Sequence, residues 1–405
     1  MRILIVSEDI PAPQVGGLGK HAVRLGNALL ARGHAVTLMG RSELDYAQCA
    51  AEVGFNGPFI GGFDFRRAGW KEHALGVFLP YKRPRAARRI ARAILERAGD
   101  FDVVHYHGHL PMVGRYIPRG VNFVQTRHDH GSECLTHVRF RDGRPCTATD
   151  ARACAGCASA EPGLLRREIS AAAVRQYRRH SAEAFARHKT IFVSDFLRRR
   201  FDRVVAGDRS RTSFVVHNFI DLQSLPQDRE PPAAPARDRR RIVVVARIDE
   251  VKGIEAFLQA LSRAPASGIE VEIVGDGPLR SRAEAAFASP SVRFLGWCSQ
   301  AQTLQRIARA DAVVVPSVWE EPCATTILEG LALGKPVLAL ALGGTPELAR
   351  YELWRGQLAL FGALEELVRA LVERPLPPTR RDGELKADVA RMLPQLIAVY
   401  EEARP

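Results

Sequence analysis

The chain alternates short apolar runs with segments of helical pattern almost from end to end. The first run, Arg2–Val6, is apolar after its first residue, as expected of a strand buried on both faces of a parallel sheet. A glycine-rich turn at 14–19 and a helix over His21–Ala31 follow, and Gly33 ends that helix before a strand over Ala35–Met39. This strand–helix–strand order predicts an α/β fold built on parallel sheets.

Residues 227–240 interrupt the alternation, because they are rich in proline and charge and poor in large apolar side chains. We therefore predict two doubly wound, Rossmann-like domains, 1–226 and 241–380, joined by the linker 227–240. Residues 381–405 carry a last helix, with apolar spacing from Glu384 to Glu402. The other predicted strands are Asp102–His105, Val121–Gln125, Thr190–Val193, Ser213–Val216, Arg241–Val245, Glu270–Val274, Val292–Leu295, Ala312–Val315 and Pro336–Leu340.

Length and apolar content support two full hydrophobic cores, since 405 residues with 46% hydrophobic side chains exclude wholesale disorder. The apolar run at the N-terminus breaks at Glu8, too early for a signal peptide. No segment approaches the roughly 18 unbroken apolar residues that would span a bilayer. We expect a cytoplasmic protein.

The balance of charge favours anionic partners, since 58 basic and 45 acidic residues give a net charge of +13. Arginines concentrate in Lys82–Arg97 and Arg166–Arg203, and Ile90, Ile94 and Leu95 are predicted to share one face of the first helix. That helix is either a solvated surface element or a surface that docks on an anionic membrane. Zinc-finger, helix-turn-helix and aromatic RNA-binding motifs are missing from the sequence, so we expect no nucleic-acid partner.

Four cysteines lie within a polar insertion at 130–160. Cys134, Cys146, Cys154 and Cys157 fall within 24 residues, which is compatible with a structural zinc site of four sulfurs. Unligated thiols and redox chemistry are the alternatives. A catalytic metal is not expected here, because four sulfur ligands leave no open position.

The segment 317–329 carries two carboxylates, Glu321 and Glu329, on either side of a predicted helix start. We expect Glu321 on the loop beyond the end of a strand and Glu329 about two turns into the helix that follows. The amides near Thr325 and Thr326 would point out of the N-terminus of that helix, where a phosphate binds well. Glu321 precedes this phosphate site in the sequence and Glu329 follows it. This arrangement suits a nucleotide-sugar, because one carboxylate can bind the sugar and the other the ribose.

Other polar residues also follow predicted strands. Arg247 and Lys252 lie on one loop, and two cations suit a diphosphate, although exposed salt bridges are the alternative. Gly275 opens a turn that either lets a base approach or is only a turn. His128 follows a strand of the first domain and either faces the cleft between the domains or is structural. Trp297 either stacks on a base or is an ordinary buried side chain.

Taken together, these segments resemble the retaining GT-B glycosyltransferases of family 4, also described as bacterial glycosyl transferases group 1. The matching motifs of the second half span roughly residues 242–350 in order. The first half matches only at its glycine pair and at His128. The segments that carry the resemblance are Gly16–Gly17, His128–Asp129, Arg247–Gly253, Gly275–Pro278, Phe294–Gly296, Glu321–Glu329 and Gly334–Val337.

This resemblance implies two domains facing across a cleft, the first binding the acceptor and the second the nucleotide-sugar, with the tail helix crossing back to the first. Arg247 and Lys252 would bind the donor diphosphate. Glu321 and His128 would contact the donor sugar, and Glu329 the ribose. Gly16 and Gly17 would approach the phosphates or the acceptor, while Gly275, Thr325 and Thr326 would help to hold the donor.

The implied reaction is a retaining transfer of a hexose-type sugar from a nucleoside diphosphate sugar to a hydroxyl, without a metal or other cofactor. With the basic first half, a lipid-linked acceptor of lipopolysaccharide or exopolysaccharide assembly is favoured, at the inner face of the plasma membrane. A small soluble acceptor, such as an aminocyclitol antibiotic, is the alternative. A remote alternative is a basic nucleic-acid-binding module stabilised by structural zinc. Such a module would give no role to four charged residues, namely Arg247, Lys252, Glu321 and Glu329. A dinucleotide oxidoreductase lacks its G-x-G-x-x-G turn after the first strand.

Two positions depart from the family pattern. Cys323-Ala324 stands where phenylalanine and glycine are frequent, and Gly330 stands where alanine is usual. Both changes leave the carboxylates in place and put the preference for the donor sugar in doubt.

Overall fold

The computed structural model describes residues 1–12, 14–64, 83–158, 164–204, 212–226, 239–264, 268–381 and 383–402. The chain divides into two compact units. The first consists of Met1–Arg139, Cys146–His217 and Val389–Pro405, and the second of Phe140–Pro145 and Asn218–Asp388.

The first unit is built on a parallel sheet of seven strands in the order β3-β2-β1-β4-β5-β8-β9. Its strands are β1 Arg2–Ser7, β2 Ala35–Arg41, β3 Phe59–Phe63, β4 Val103–His107, β5 Phe123–Arg127, β8 Lys189–Phe192 and β9 Ser213–Val215. The short hairpin between β5 and β8 in sequence, β6 Phe140–Arg141 and β7 Arg144–Pro145, belongs to the second unit. The helices over this part of the chain are α1 Gly17–Ala31, α2 Tyr46–Val53, α3 Arg83–Leu95, α4 Ala151–Ala158, α5 Leu164–Arg187 and α6 Asp195–Val204.

The second unit is built on a parallel sheet of six strands in the order β12-β11-β10-β13-β14-β15. Its strands are β10 Arg240–Val245, β11 Ile269–Val274, β12 Val292–Gly296, β13 Ala312–Val315, β14 Val337–Leu340 and β15 Leu358–Phe361. Its helices are α7 Ile254–Arg263, α8 Arg280–Phe287, α9 Gln300–Arg309, α10 Thr325–Ala332 and α11 Leu364–Glu373, and α12 Val389–Glu401 then returns to the first unit.

Each sheet reverses its strand order once, between β1 and β4 in the first unit and between β10 and β13 in the second. The central strands are buried on both faces; Ile3, Leu4, Ile5 and Val6 of β1 have no exposed surface. Loops that leave the carboxyl ends of the strands on either side of such a reversal diverge, and the crevice between them is where ligands bind in this class of sheet.

The predicted α/β architecture of two doubly wound sheets is confirmed, and the predicted strands are found with ends that shift by at most two residues. The strands β3 and β15 and the hairpin β6–β7 were not predicted. The tail helix begins at Val389 rather than at Glu384. It packs on the first sheet, where the Tyr400 hydroxyl lies 2.7 Å from Nδ1 of His105.

The arginine-rich helix α3 buries a different face from the one predicted. Ile90 and Ile94 are fully buried, but Leu95 is 39% exposed, and the small residues Ala87 and Ala91 complete the buried face instead. Most of the predicted linker, 227–238, lies outside the described residues. None of the described helices has the length and apolar character needed to cross a membrane.

Candidate functional site

The loops that follow β10 and β13 meet at the reversal of the second sheet through an ion pair. Lys252 Nζ lies 2.5 Å from Glu321 Oε1, and the Ser317 hydroxyl donates to the same carboxylate oxygen at 2.7 Å. The ammonium group also lies 5.0 Å from the centre of the Trp319 ring. The sequence predicted both charged residues, and the structure brings them into direct contact.

Backbone contacts hold these two loops together. The amide of Val318 donates to the carbonyl of Val251 at 3.0 Å, next to Lys252. Gly253 has φ +67°, and a Cβ atom at this position would overlap the carbonyl oxygen of Pro316. The Lys252-Gly253 pair of the motif therefore combines the cation with the residue that lets its loop approach the end of β13.

A third loop, which follows β14, supports Glu321 from the other side. The amide of Gly344 donates to the carbonyl of Glu321 at 2.7 Å. Gly343 has φ +65°, and a Cβ atom there would overlap that same carbonyl oxygen. Gly343 thus sets how closely this loop packs against the main chain of Glu321.

We expect Gly343→Ala to lower the free energy of unfolding by about 2–4 kcal/mol, because it adds a steric overlap to the left-handed backbone strain. Gly356→Ala is the matched control, since Gly356 has φ +85° and open space around the added Cβ. That change should cost only about 1–2 kcal/mol. Urea unfolding of both variants measures the difference, and equal losses would contradict a supporting role for Gly343.

Burial and nearby charge act in opposite directions on Glu321. Burial alone would raise the pKa of its carboxyl group, but the positive charge of Lys252 and the hydrogen bonds from Lys252 and Ser317 outweigh it and lower the pKa. Glu321 is therefore ionised at neutral pH although it is only 6% exposed. A buried carboxylate in this state is a strong acceptor for hydroxyl groups of a ligand.

The helix α10 begins at Thr325, after Ala324, which provides no side-chain cap. The Thr326 hydroxyl donates to the carbonyl of Val245 at the end of β10, at 3.3 Å, and so ties the helix start to the reversal of the sheet. Glu329 is the fifth residue of this helix and lies about one turn from its start. The predicted position, two turns into the helix, was wrong. The Glu329 carboxylate is buried and accepts a hydrogen bond from Gln300 at 2.8 Å, a partner that the sequence did not reveal.

Three other predicted residues of the second unit lie on neighbouring loops. The Arg247 side chain is 69% exposed and lies 3.6 Å from Asp249, not against Glu321. Gly275 follows β11 with φ +142°, with its α-carbon close to the carbonyl of Ala246. Trp297 is half-buried rather than buried. It lines a cavity of about 380 Å³ together with Leu295, Cys298, Gln302, Gln305, Arg306 and Arg309.

The predicted residues of the first unit lie at the reversal of the first sheet. Gly16 precedes α1 without a side-chain cap, and Gly17 is the first residue of that helix. His128 follows β5 directly and is joined there by His21 and His107, which the sequence analysis missed. A signal was available, because His105, His107 and His109 alternate at the end of a strand and alternate residues share a face.

The four cysteines of the insertion are not gathered into one group. In the described part of the chain, the groups of three or more ligand atoms within 4.8 Å of one another consist of histidine and aspartate, without cysteine. Sγ of Cys134 lies 3.2 Å from the Thr136 hydroxyl, and Sγ of Cys154 accepts from Arg178 at 3.2 Å. The geometry therefore does not provide the zinc site of four sulfurs that the spacing suggested.

Two sequence families match this chain. The family described as Glycosyltransferase Family 4 matches residues 15–224, and the family described as Glycosyl transferases group 1 matches residues 239–373. Between them they cover both units of the fold.

Characterised relatives extend over most of the chain. A glycogen synthase of Mycobacterium tuberculosis is 26% identical over 409 residues, covering 94% of this chain and 88% of the relative. The phosphatidyl-myo-inositol mannosyltransferase of the same organism is 24% identical over 347 residues, covering 82% and 75%. Among solved structures, HepE of Anabaena in complex with UDP and glucose superposes with a TM-score of 0.64 at 14% identity, covering 98% of each chain. This last likeness concerns the fold.

Proposed function

The chain belongs to glycosyltransferase family 4, and on that basis we propose that it transfers one hexose-type sugar from a nucleoside diphosphate sugar to a hydroxyl group, with retention of configuration. The observation that carries this proposal is the Lys252–Glu321 pair beside the start of α10. A cation, a buried carboxylate and an uncapped helix N-terminus on neighbouring loops of the second unit suit a pyrophosphate bonded to a sugar, which supports the proposal.

In the proposed reaction the bond between the anomeric carbon and the diphosphate breaks, and negative charge develops on the leaving phosphate. Lys252 and the amides at the start of α10, near Thr325 and Thr326, stabilise that charge, and the exposed Arg247 reaches toward the diphosphate. These groups supply positive charge without a metal. The leaving phosphate itself takes the proton of the acceptor hydroxyl on the same face, so no protein nucleophile is required.

The two carboxylates have different proposed partners. Glu321 accepts hydrogen bonds from hydroxyls of the donor sugar, and Glu329 accepts them from the ribose, with Gln300 fixing its orientation. Gly275 leaves room for the base. From the first unit, we assign His128 to the donor sugar and the turn at Gly16–Gly17 to the phosphates or the acceptor.

A thermal-shift screen against UDP-, GDP- and ADP-sugars, with NAD as the oxidoreductase control, tests this proposal. We expect a sugar nucleotide to raise the melting temperature, because a ligand that binds only the folded state stabilises it. Glu329→Ala should weaken that response, since it removes the acceptor proposed for the ribose. A response to NAD alone, or to none of these ligands, would contradict the assignment.

For the acceptor, we propose a lipid-linked glycan of lipopolysaccharide or exopolysaccharide assembly, reached by docking on an anionic membrane from the cytoplasmic side. The support is an apolar surface on α5. Leu164 is 86% exposed, Leu165 77% and Ile169 58%, and exposed arginines, including Arg167 and Arg175, follow on the same helix. Apolar side chains beside arginines fit the boundary between anionic headgroups and acyl chains.

The double variant Leu164→Ser/Leu165→Ser is expected to bind anionic vesicles at least about 100-fold more weakly, because each inserted leucine contributes about 1.5 kcal/mol or more. Co-sedimentation with vesicles containing phosphatidylglycerol measures this, and neutral vesicles control for charge. Leu95→Ser on α3 is the matched control and should bind as the wild type does. If the wild type does not bind anionic vesicles, a small soluble acceptor becomes the better proposal.

A further inference from the structure

Three histidines from three different elements converge at the reversal of the first sheet. His21 lies on α1, His107 ends β4, and His128 follows β5. One ligand nitrogen from each lies within 4.8 Å of the other two. His21 and His107 are buried, at 6% and 0% exposure, while His128 is only partly covered.

We propose that His21, His107 and His128 form a zinc-binding site with an open fourth position. Three imidazole nitrogens are the donor set that zinc takes when a fourth position stays available for water or another ligand. The partly covered His128 marks the side on which that position opens.

The spacing of the three rings fits tetrahedral coordination. With Zn–N bonds of about 2.0 Å, two coordinating nitrogens lie about 3.3 Å apart. Nδ1 of His107 and Nε2 of His128 already lie 3.1 Å apart. The ring centres are 5.4 Å apart for His21 and His107, 4.7 Å for His21 and His128, and 5.4 Å for His107 and His128. The ring centres of imidazoles bound to one tetrahedral ion are separated by about 5 Å.

Nδ1 of His107 and Nε2 of His128 face each other at hydrogen-bond distance, so one of these nitrogens carries the proton and the other accepts it. When zinc binds between them, that proton moves to the far nitrogen of the same ring. Both facing nitrogens then donate lone pairs to the ion, and both rings stay neutral.

A second cluster nearby, His109, Asp129 and His137, is less suited to the ion. Asp129 already accepts from Nδ1 of His109 at 2.6 Å and from the amide of Gly131 at 2.7 Å. Nε2 of His109 also lies 3.4 Å from a carboxylate oxygen of Asp9. Zinc would have to break these contacts to bind in the second cluster.

Zinc titration of the chelator-treated full chain by calorimetry tests the proposal without donor or acceptor. We expect one ion per chain, and cobalt in its place should give the absorption of a tetrahedral nitrogen site. His128→Asn should weaken binding by about 100-fold or more, since it removes a ligand. His128→Asn is the preferred variant because His128 is only partly covered, and circular dichroism of the variant checks that it folds; His21→Asn gives a second test.

Two controls separate this site from its rivals. His137→Asn alters the second cluster, and the joint replacement of Cys134, Cys146, Cys154 and Cys157 by serine removes the thiols. Both should keep the stoichiometry and the cobalt spectrum. The proposal is overturned if the wild type binds no zinc, if His128→Asn and His21→Asn bind as before, or if binding is lost in either control.

One consequence rests on the proposed function. If His128 contacts the donor sugar, zinc bound to it should inhibit transfer in competition with the donor, and a chelator should restore the activity. Zinc binding without inhibition would leave the metal site standing and contradict the role given to His128.

Discussion

Replacing Lys252 by methionine is expected to lower kcat/KM for the nucleotide-sugar by about 100- to 1000-fold, the usual effect of removing one preorganised group that stabilises developing charge. Methionine keeps most of the apolar length of the side chain and removes the ammonium group, together with its contact to the Trp319 ring. The release of nucleoside diphosphate, followed with the donor that the thermal-shift screen identifies, measures the loss.

The expected loss has two sources. The departing diphosphate loses a cation, and Glu321 loses the partner that keeps its carboxylate ionised in a buried place. An unpaired buried carboxyl group takes up a proton more readily, so the pKa of Glu321 should rise in this variant. The sugar hydroxyls would then meet a weaker acceptor.

Arg282→Met is the matched control for Lys252→Met. Arg282 is a cation of the same unit whose side chain is 69% exposed and paired with Glu255. An exposed pair contributes about 0–1 kcal/mol to stability. Arg282 lies on α8, which follows β11 and not one of the two strands, β10 and β13, that flank the reversal of the second sheet. Activity within about threefold of wild type is expected there. A comparable loss in both variants would show that charge in general, rather than Lys252, is responsible.

Most of the fold could be predicted from the sequence because the inner strands of both sheets are buried on both faces. Such strands appear as unbroken apolar runs, as in Ile242–Val245 of β10. The strands β3 and β15 were missed because each is short and has only one buried residue, so neither appears in the sequence as a clear apolar run. In β3 two glycines, Gly61 and Gly62, weaken the apolar pattern further.

The charged residues of the candidate site could be predicted, but their pairing could not. Lys252 and Glu321 are 69 positions apart in sequence, and only the strand order β10-β13 makes their loops neighbours. The same holds for Glu329 and Gln300, whose contact depends on how α9 packs beside α10. Sequence spacing carries little information about contacts set by sheet topology.

The proposed histidine site could not be predicted from sequence spacing either. Each of the three rings taken singly is more readily explained as a structural residue. Their significance arises only when α1, β4 and β5 bring them within reach of one ion. The four cysteines are the opposite case, since their spacing along the chain suggested a metal site that the geometry does not form.

Glu321→Gln is expected to reduce kcat/KM by about 100- to 1000-fold while leaving the fold intact, because glutamine keeps the shape and loses the charge. Glu320→Gln, at the half-buried neighbouring residue, is the control and should stay within about threefold of wild type. Equal losses in the two variants would contradict the role given to Glu321.

Combining Glu321→Gln with Lys252→Met tests whether the two charges act as one unit. Each single change leaves an unpaired charge at the reversal of the second sheet, whereas the double change removes both charges. If the 2.5 Å pair is part of the working site, the loss in the double variant should be clearly smaller than the sum of the two single losses, expressed as free energies. Additive losses, measured by the same release of nucleoside diphosphate, would mean that lysine and glutamate act on the substrate independently and that their contact is incidental to the chemistry.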